Sequence, residues 1–269
     1  MTKLSLRDAG LSLGGREVLS GISLELGAGD FVALVGPNGS GKTSLIKLCL
    51  GLYPQGRGEV RLDGEELRSL TPKRRAAGLA WLPQRWEPSE PLPVLEVVAA
   101  ARYRLREPFR VAAAAATRAL DRVGAADLAE RHVDELSGGE LQRVLLAAVV
   151  AQEAPLLFFD EPANHLDPQH QIATYRLLGE LRAGGAGVLC VTHDINLLAH
   201  IDGAEKIRVV GMRDGRIVLD TRYSDPDLAK GLSELYLAEY AEFKDGSVRH
   251  FYLRAERTPG AFEASGGEG

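Results

Sequence analysis

Eight consecutive residues, Gly36 to Thr43, have the types and the spacing that hold a chain of phosphates. They read Gly-Pro-Asn-Gly-Ser-Gly-Lys-Thr, after the apolar run 31–35 and before the helical run 44–50. A strand that delivers a glycine-rich turn to a helix N-terminus points several backbone N–H groups at one spot. Lys42 can then reach the β- and γ-phosphates of a nucleotide, and the Thr43 hydroxyl can bind Mg²⁺. The chain is therefore predicted to bind a nucleoside triphosphate.

The predicted nucleotide ligands extend into the first turn of the following helix. They are Gly36, Pro37, Asn38, Gly39, Ser40, Gly41, Lys42, Thr43 and Ser44. A chance glycine-rich turn is the alternative interpretation. It is disfavoured because every fixed position of the pattern is filled and because a predicted strand and a predicted helix flank the loop.

Two carboxylates follow a second apolar strand. Residues 155–159 are apolar and lead directly into Asp160 and Glu161. In α/β folds, ligands bind at the edge of the sheet where parallel strands end. Asp160 is therefore predicted to hold Mg²⁺, and Glu161 is predicted to act as general base for the attacking water. A solvated strand end is the alternative, and it does not account for the phosphate-binding loop in the same chain.

A second candidate anion site lies at Ser137, Gly138 and Gly139. Ser137 is a typical N-cap residue for the helical run that follows. The two glycines leave backbone N–H groups accessible, and the helix dipole favours an anion at that end. An ordinary helix cap without a ligand is the alternative, and the three residues alone do not separate the two.

Composition narrows the class of protein. The chain has 269 residues, 45% of them hydrophobic, and a formal net charge of −5. An acidic balance disfavours nucleic-acid binding, which usually needs an excess of basic residues. The two cysteines, Cys49 and Cys190, lie in apolar stretches and suggest buried thiols in a reducing compartment rather than a disulfide framework. Neither a signal peptide nor a membrane-spanning segment is predicted.

The order of the predicted elements indicates an α/β fold. Short alternating runs within residues 1–30 and 59–62 predict a small antiparallel sheet. The apolar runs 31–35, 155–160 and 186–191 are typical of buried parallel strands. Residues 86–154 are predicted to form an inserted helical subdomain. Residues 221–269 are predicted to form a C-terminal extension with a helix at 232–239, a hairpin around Asp245-Gly246 and a disordered tail at 264–269.

With these motifs in order, residues 1–220 resemble the ATP-binding subunit of ABC transporters. That family has an α/β ATPase core with a mainly parallel sheet, a small antiparallel β subdomain and an inserted helical subdomain. Its motifs occur here as the phosphate loop, Gln84, the Leu-Ser-Gly-Gly-Glu signature at 136–140, the acidic strand end, Asp167 and His193. The resemblance implies ATP and Mg²⁺ as cofactors and ATP hydrolysis as the activity.

The resemblance also implies roles that the residues alone do not. Gln84 would sense Mg²⁺ and the γ-phosphate, and His193 would contact the γ-phosphate. Asp167 would cross the dimer interface, although it could equally be a simple cap before Pro168. Ser137, Gly138 and Gly139 would contact ATP held by a second ATP-binding subunit. A head-to-tail dimer with two ATP molecules at the interface is thus expected.

Two positions depart from the family pattern. The family usually has an aromatic residue that stacks on adenine just before the Gly14-Gly15 turn, whereas this chain has Leu13. Apolar packing replaces only part of that stacking, so weaker ATP binding or lower base selectivity is expected. In the signature, Glu140 stands where glutamine is common, and it need not touch phosphate because it points along the helix.

One segment resembles a particular group of importers. Residues 93–103 are similar to a helix start found in importers of iron-siderophores, haem and vitamin B12, with Ala101 replacing a glycine. The C-terminal region 232–253 resembles the same group. The expected partners are integral-membrane permease subunits and an extracytoplasmic substrate-binding protein, and the expected location is the cytoplasmic face of the cell membrane. An ATPase of another importer or exporter, and a soluble ABC ATPase acting on DNA or ribosomes, are the alternatives.

Overall fold

A computed structural model describes residues 2–54, 56–84, 86, 90–246 and 248–254. The strands are β1 (Lys3–Leu13), β2 (Arg16–Gly27), β3 (Phe31–Val35), β4 (Arg57–Leu62), β5 (Glu65–Glu66), β6 (Leu79–Leu82), β7 (Leu156–Asp160), β8 (Gly187–Val191), β9 (Arg208–Arg213), β10 (Arg216–Arg222), β11 (Tyr240–Asp245) and β12 (Val248–Leu253). The α-helices are α1 (Lys42–Cys49), α2 (Pro72–Gly78), α3 (Val94–Ala100), α4 (Phe109–Arg122), α5 (Gly138–Ala151), α6 (Pro168–Ala183) and α7 (Leu228–Tyr236). Short 3-10 helices occupy Leu67–Ser69, Tyr103–Leu105, Ala126–Leu128, Val133–Glu135, Ile195–His200 and Ala204–Lys206.

A six-stranded sheet carries the predicted parallel strands. Its spatial order is β10-β9-β3-β8-β7-β6. All neighbouring pairs are parallel except β9 and β10, which form a hairpin at the edge. Strands β3, β7 and β8 are buried at every position, because helices or a second sheet cover both faces. The predicted mainly parallel core is confirmed.

The strand β3 divides its side chains between two cores. Phe31, Ala33 and Val35 pack against one face of the central sheet together with residues of α5, α6 and α7. Val32 and Leu34 pack on the opposite face, together with α1 and the antiparallel sheet β2-β1-β4-β5. Successive side chains of a strand point to opposite faces, so one apolar strand supports both layers. The predicted antiparallel β subdomain is likewise confirmed.

Helices α3, α4 and α5 form a third core of their own. Residues from each helix share this core, among them Val98, Ala116, Leu120 and Val144. The next residues of α5, Leu145 and Leu146, face the core of the central sheet instead. Because α5 contributes to both cores, it joins the helical subdomain to the ATPase core.

The C-terminal helix begins and ends earlier than expected. It spans Leu228–Tyr236, whereas the sequence analysis placed it at 232–239. Leu228, Leu232 and Leu235 form its buried face, and this spacing of about one helical turn extends the helix upstream. Leu237 ends it by adopting a left-handed backbone with φ 53°. The hairpin β11-β12 follows as predicted, and the tail 264–269 lies outside the described residues.

Candidate active site

The phosphate-binding loop runs from the end of β3 to the start of α1. Gly36 must be glycine, since its φ is 145° and a Cβ there would lie 2.1 Å from the Met212 carbonyl oxygen. Gly41 is the N-cap of α1 in a left-handed conformation. The Lys42 ammonium turns back over the loop and donates hydrogen bonds to the carbonyl oxygens of Gly36 at 2.7 Å and Pro37 at 3.0 Å. The sequence thus folds into a turn whose lysine lies above it.

Burial sets the electrostatics at the base of this loop. Lys42 is 7% exposed, and burial lowers the pKa of its ammonium, although the carboxylates of Glu161 and Asp160 oppose that change. Asp160 is 1% exposed, and burial raises the pKa of its carboxyl. The nearby Thr43 hydroxyl opposes that rise, the Glu161 carboxylate adds to it, and the Lys42 ammonium again opposes it.

The residues at this point fit a divalent cation. Neither carboxylate oxygen of Asp160 has a hydrogen-bond partner of normal geometry within the described residues, and the same holds for the Ser40 hydroxyl. An orphaned buried carboxylate is costly unless a cation or a donor satisfies it. Carboxylate and hydroxyl oxygens are ligands that Mg²⁺ prefers. Asp160 and Thr43 could therefore hold Mg²⁺ here.

Glu161 is the centre of a hydrogen-bonded cluster at the end of β7. Its side chain is 9% exposed. Gln84 Nε2 donates to Glu161 Oε2 at 2.9 Å, and Asn164 Nδ2 donates to the same oxygen. The other oxygen, Oε1, lies 2.5 Å from His193 Nε2. The carboxylate of Glu161 is thus held by groups that follow three different strands or loops, with its own backbone at φ 58°.

A cavity of about 440 Å³ brings most of the predicted site residues together. It is lined by Val18, Asn38, Gly39, Ser40, Gly41, Lys42, Thr43, Ser44, Gln84, Glu161 and His193. Asp160 lies beneath it, close enough to affect Lys42. The phosphate-loop ligands and the proposed catalytic side chains therefore share one site, as the sequence analysis predicts.

The second anion site faces a different cavity. Ser137, Gly138 and Gly139 line a cavity of about 520 Å³ together with Asp167 and other residues of the α6 start. No residue of the phosphate loop lines it. Within one chain, the structure does not bring the signature residues to the nucleotide loop. A site that combines the signature residues with a phosphate loop would therefore need two chains.

Both helix starts in this second cavity are capped by their own side chains. The Ser137 hydroxyl accepts from the Glu140 N–H at 3.3 Å, and the Glu140 carboxylate accepts from the Ser137 N–H at 2.8 Å. Asp167 accepts from the His170 N–H at 3.0 Å. The cap interpretation of Asp167 is therefore observed, and its role at a dimer interface stays a prediction. Glu140 turns back to its cap, whereas the sequence analysis expected it to point along the helix.

Sequence reasoning missed two residues of the nucleotide site. Val18 lines the cavity, whereas Leu13 packs at the margin of the core between the two sheets and is not among the lining residues. Asn164 holds the Glu161 carboxylate. Its position three residues after Glu161, in a turn closed by the Asn164 N–H and the Glu161 carbonyl at 3.2 Å, is the signal that could have identified it.

Comparison with known proteins identifies the family. The sequence-family model of ABC transporters matches residues 19–164, which include the phosphate loop, Gln84, the signature and the acidic strand end. The chain belongs to the ABC transporter family. It is the ATP-binding, ATP-hydrolysing component of such a transporter, and the predictions of fold, ATP ligand and ATPase activity are confirmed.

Three relatives show how far the similarity extends. A hemin import ATP-binding protein of Chelativorans sp. (strain BNC1) is 40% identical over 222 residues, covering 80% of this chain and 83% of the relative. A second, from Jannaschia sp. (strain CCS1), is 37% identical over 241 residues and covers 87% of each. A zinc import ATP-binding protein of Cereibacter sphaeroides is 37% identical over 199 residues, covering 74% and 75%.

A solved structure shares the fold. It is a dimeric ATP-binding cassette in a post-hydrolysis state with ADP and phosphate bound. It is 25% identical, has a TM-score of 0.73, and covers 81% of this chain and 98% of its own. Among the described residues of this ABC ATPase, no helix has both the length and the apolar character needed to cross a membrane.

Proposed function

We propose that this ABC ATPase powers the import of an iron chelate such as a ferric siderophore, of haem, or of cobalamin. The extent of the similarity to hemin importers carries the proposal. One such alignment spans 87% of the 269 residues. Even an alignment of that length that started at residue 1 would end after residue 220, so it includes part of the C-terminal region. The zinc importer aligns over 74% of the chain and need not include that region.

The geometry supports defined roles for the site residues during hydrolysis. Bound Mg²⁺, held by Thr43, Asp160 and Gln84, would neutralise charge on the phosphates. Lys42 would leave its loop carbonyl partners and neutralise charge on the β- and γ-phosphates. Glu161 would orient the attacking water and accept its proton, since its carboxylate is fixed by hydrogen bonds at the cavity wall.

Residues around Glu161 would keep the reacting groups aligned. His193 lies against Glu161 and lines the cavity, so it can hold the γ-phosphate while it fixes the base. Gln84, which follows β6, donates a hydrogen bond to the same carboxylate at 2.9 Å. A movement of the segment after β6 would therefore shift the Glu161 carboxylate. This link supports the expectation that Gln84 joins the ATPase core to the helical subdomain.

A second subunit would complete the site. The signature residues face a cavity separate from the phosphate loop of their own chain. A head-to-tail pair of subunits would place Ser137, Gly138 and Gly139 over the nucleotide of the partner subunit. Hydrolysis would then require the closed pair, and its opening and closing would move the attached permease.

Several exposed apolar side chains on the surface of the helical subdomain support docking to a permease. Tyr103 is 68% exposed and Phe109 is 60% exposed, with Leu92, Leu105 and Val111 also exposed nearby in the chain. Exposed apolar clusters usually mark an interaction surface. We assign this surface to the permease, which would hold the ATPase at the cytoplasmic face of the cell membrane. An extracytoplasmic substrate-binding protein would deliver the chelate.

Import of a metal ion is the second candidate, and the zinc import relative favours it. The net charge of −5 gives no support to an ATPase that acts on nucleic acid. Both transport candidates share the ATPase chemistry and differ in the permease and in the substrate-binding protein. The partner and the cargo must therefore be tested directly.

A deletion strain of the native host, complemented with tagged chain, tests the proposal. We expect the strain to lose growth with haem or a ferric siderophore as sole iron source, and wild type but not Lys42→Ala to restore it. Detergent extraction and mass spectrometry of the Glu161→Gln complex should identify a polytopic permease. A growth defect confined to zinc limitation would overturn the chelate assignment, and recovery of ribosomes without a permease would overturn transport.

A further inference from the structure

The C-terminal segment (residues 223–246 and 248–254) contacts the phosphate-binding loop directly. The Gly36 N–H donates a hydrogen bond to the Tyr236 hydroxyl at 3.0 Å, across 200 residues of sequence. Tyr236 lies at the end of α7, whose Leu228, Leu232 and Leu235 are buried in the core of the central sheet. A well-anchored helix thus presents this hydroxyl to the first residue of the loop.

The same residue of the loop also receives the catalytic lysine. The Gly36 carbonyl accepts from Lys42 Nζ at 2.7 Å, while its N–H is held by Tyr236. Both polar groups of this buried glycine are therefore used, and Met212 of β9 closes the remaining side. Burial raises the pKa of Tyr236 to about 12, so the phenol stays protonated at neutral pH. Tyr236 therefore holds the N–H of the glycine whose carbonyl Lys42 must leave to reach the phosphates.

A second contact joins the C-terminal segment to the loop that carries His193. Asn196, three residues after His193, donates from Nδ2 to the Phe251 carbonyl at 3.0 Å. Its Oδ1 accepts from the Phe251 N–H at 2.7 Å. Phe251 is buried and packs edge-to-face against Tyr223 at a centroid distance of 5.8 Å. The amide of Asn196 therefore pairs with strand β12 as a neighbouring strand would.

We infer that the C-terminal segment is a positioning element that holds two loops of the nucleotide site in register. Tyr236 sets the phosphate loop, and Asn196, through Phe251, sets the loop of His193. The inference rests on the proposed roles of those two loops. A phosphate loop held in its binding conformation loses less freedom when the nucleotide arrives, which raises affinity. An anchored loop of His193 keeps the γ-phosphate aligned for hydrolysis, which raises kcat. Neither residue touches the reacting atoms, so both act through Gly36 and His193.

Tyr236→Phe tests the first contact, with Tyr240→Phe as matched control. The Tyr240 ring lies beside that of Tyr236, with centroids 5.5 Å apart and planes tilted by 36°. Within the described residues, the Tyr240 hydroxyl has no hydrogen bond to the phosphate loop. Loss of one hydrogen bond to a buried N–H corresponds to about a three- to tenfold change. We expect Tyr236→Phe to raise KM for MgATP by about that factor, with kcat within about twofold of Tyr240→Phe. A KM equal to that of Tyr240→Phe would overturn the inference.

Asn196→Ala tests the second contact, and the expected change is in kcat rather than in KM. We expect kcat to fall by about three- to tenfold and KM for MgATP to stay within about twofold, because the loop of His193 loses its anchor. A role in folding alone would lower the melting temperature and leave the kcat of the folded fraction, titrated with a fluorescent ATP analogue, unchanged. That result would overturn the assignment.

Lys42→Ala separates this inference from the nucleotide site itself. If Lys42→Ala still binds ATP as wild type does, the site assignment fails, and the positioning role fails with it. If Lys42→Ala loses ATP while Tyr236→Phe behaves as Tyr240→Phe and Asn196→Ala behaves as wild type, the site stands and only the positioning role is overturned.

Discussion

Gln84 and Glu161 are joined by a hydrogen bond of 2.9 Å between side chains that follow neighbouring parallel strands, β6 and β7. The bond connects the segment leading into the helical subdomain to the proposed general base. It also leaves only one oxygen of Glu161 for His193, at 2.5 Å. The position of the base is therefore coupled to Gln84 and His193, which follow the two strands on either side of β7.

Replacement of the base tests the chemistry of this cluster. We expect Glu161→Gln to lower kcat for ATP hydrolysis by about 10²- to 10⁴-fold, since a positioned base contributes about that factor. ATP binding should persist because Gln keeps the shape of the side chain. The measurements are steady-state phosphate release and gel filtration with MgATP, which should show a trapped dimer. Asn38→Ala, at an exposed position of the phosphate loop, is the comparison variant, because it should change ATP binding and leave the chemical step intact. Turnover near the wild-type rate would refute the assignment.

Removal of the loop lysine tests nucleotide binding. We expect Lys42→Ala to weaken MgATP binding by about a hundredfold or more, because the charged hydrogen bonds to the phosphates are lost. Equilibrium binding of a fluorescent ATP analogue measures the effect. Lys73, an exposed residue of α2, supplies the control Lys73→Ala. Equal affinities for the two variants would contradict the proposed site.

Much of this site was predictable because its motifs are local. Gly36 to Thr43 lie between an apolar strand and a helix, both of which are predictable from their own residues. Asp160 and Glu161 directly follow another apolar strand. Each pattern determines its own backbone, and parallel strands then bring the loops to one edge. Ser137 was predictable as a helix cap for the same reason.

The remaining features depend on contacts between distant residues. Tyr236 lies 200 residues after Gly36, and no periodicity links them. The start of α7 at Leu228 is set by packing on the central sheet, so residues 232–239 alone gave a shifted helix. Val18 reaches the cavity only because its strand in the antiparallel sheet lies beside the phosphate loop. Such contacts become visible only in three dimensions.

The proposed permease surface can be tested by trimming exposed apolar side chains. We expect Tyr103→Ala and Phe109→Ala each to reduce recovery of the permease by about tenfold or more, because burying such a side chain at an interface contributes roughly 1.5–3 kcal/mol. Their thermal stability should equal that of wild type, since both residues are well exposed. Val218→Ala, a 50% exposed residue on β10, is the control. Recovery that matches this control would place the permease elsewhere.

The pair Glu242 and Arg249 predicts how stability depends on pH. Arg249 donates from Nε and Nη2 to the two carboxylate oxygens of Glu242, each at 2.7 Å, and both side chains are largely buried. These hydrogen bonds lower the pKa of Glu242. A carboxyl whose pKa is lower in the folded state stabilises it above the unfolded pKa, and the contribution disappears as pH falls through the folded pKa.

We therefore expect Glu242→Gln to lower the free energy of unfolding by about 1.5–3 kcal/mol at neutral pH, the value of a hydrogen bond to a charged group. The difference from wild type should begin to shrink below about pH 4.3, the pKa of an unperturbed glutamate, because the carboxyl of the unfolded wild type becomes protonated there. It should disappear below the lowered pKa of Glu242 in the folded state. Urea unfolding at a series of pH values measures it. Glu239→Gln removes the exposed pair with Arg254 and should change little at any pH. A difference for Glu242→Gln that stays constant down to about pH 3 would show that packing, and not the charge of Glu242, stabilises the hairpin.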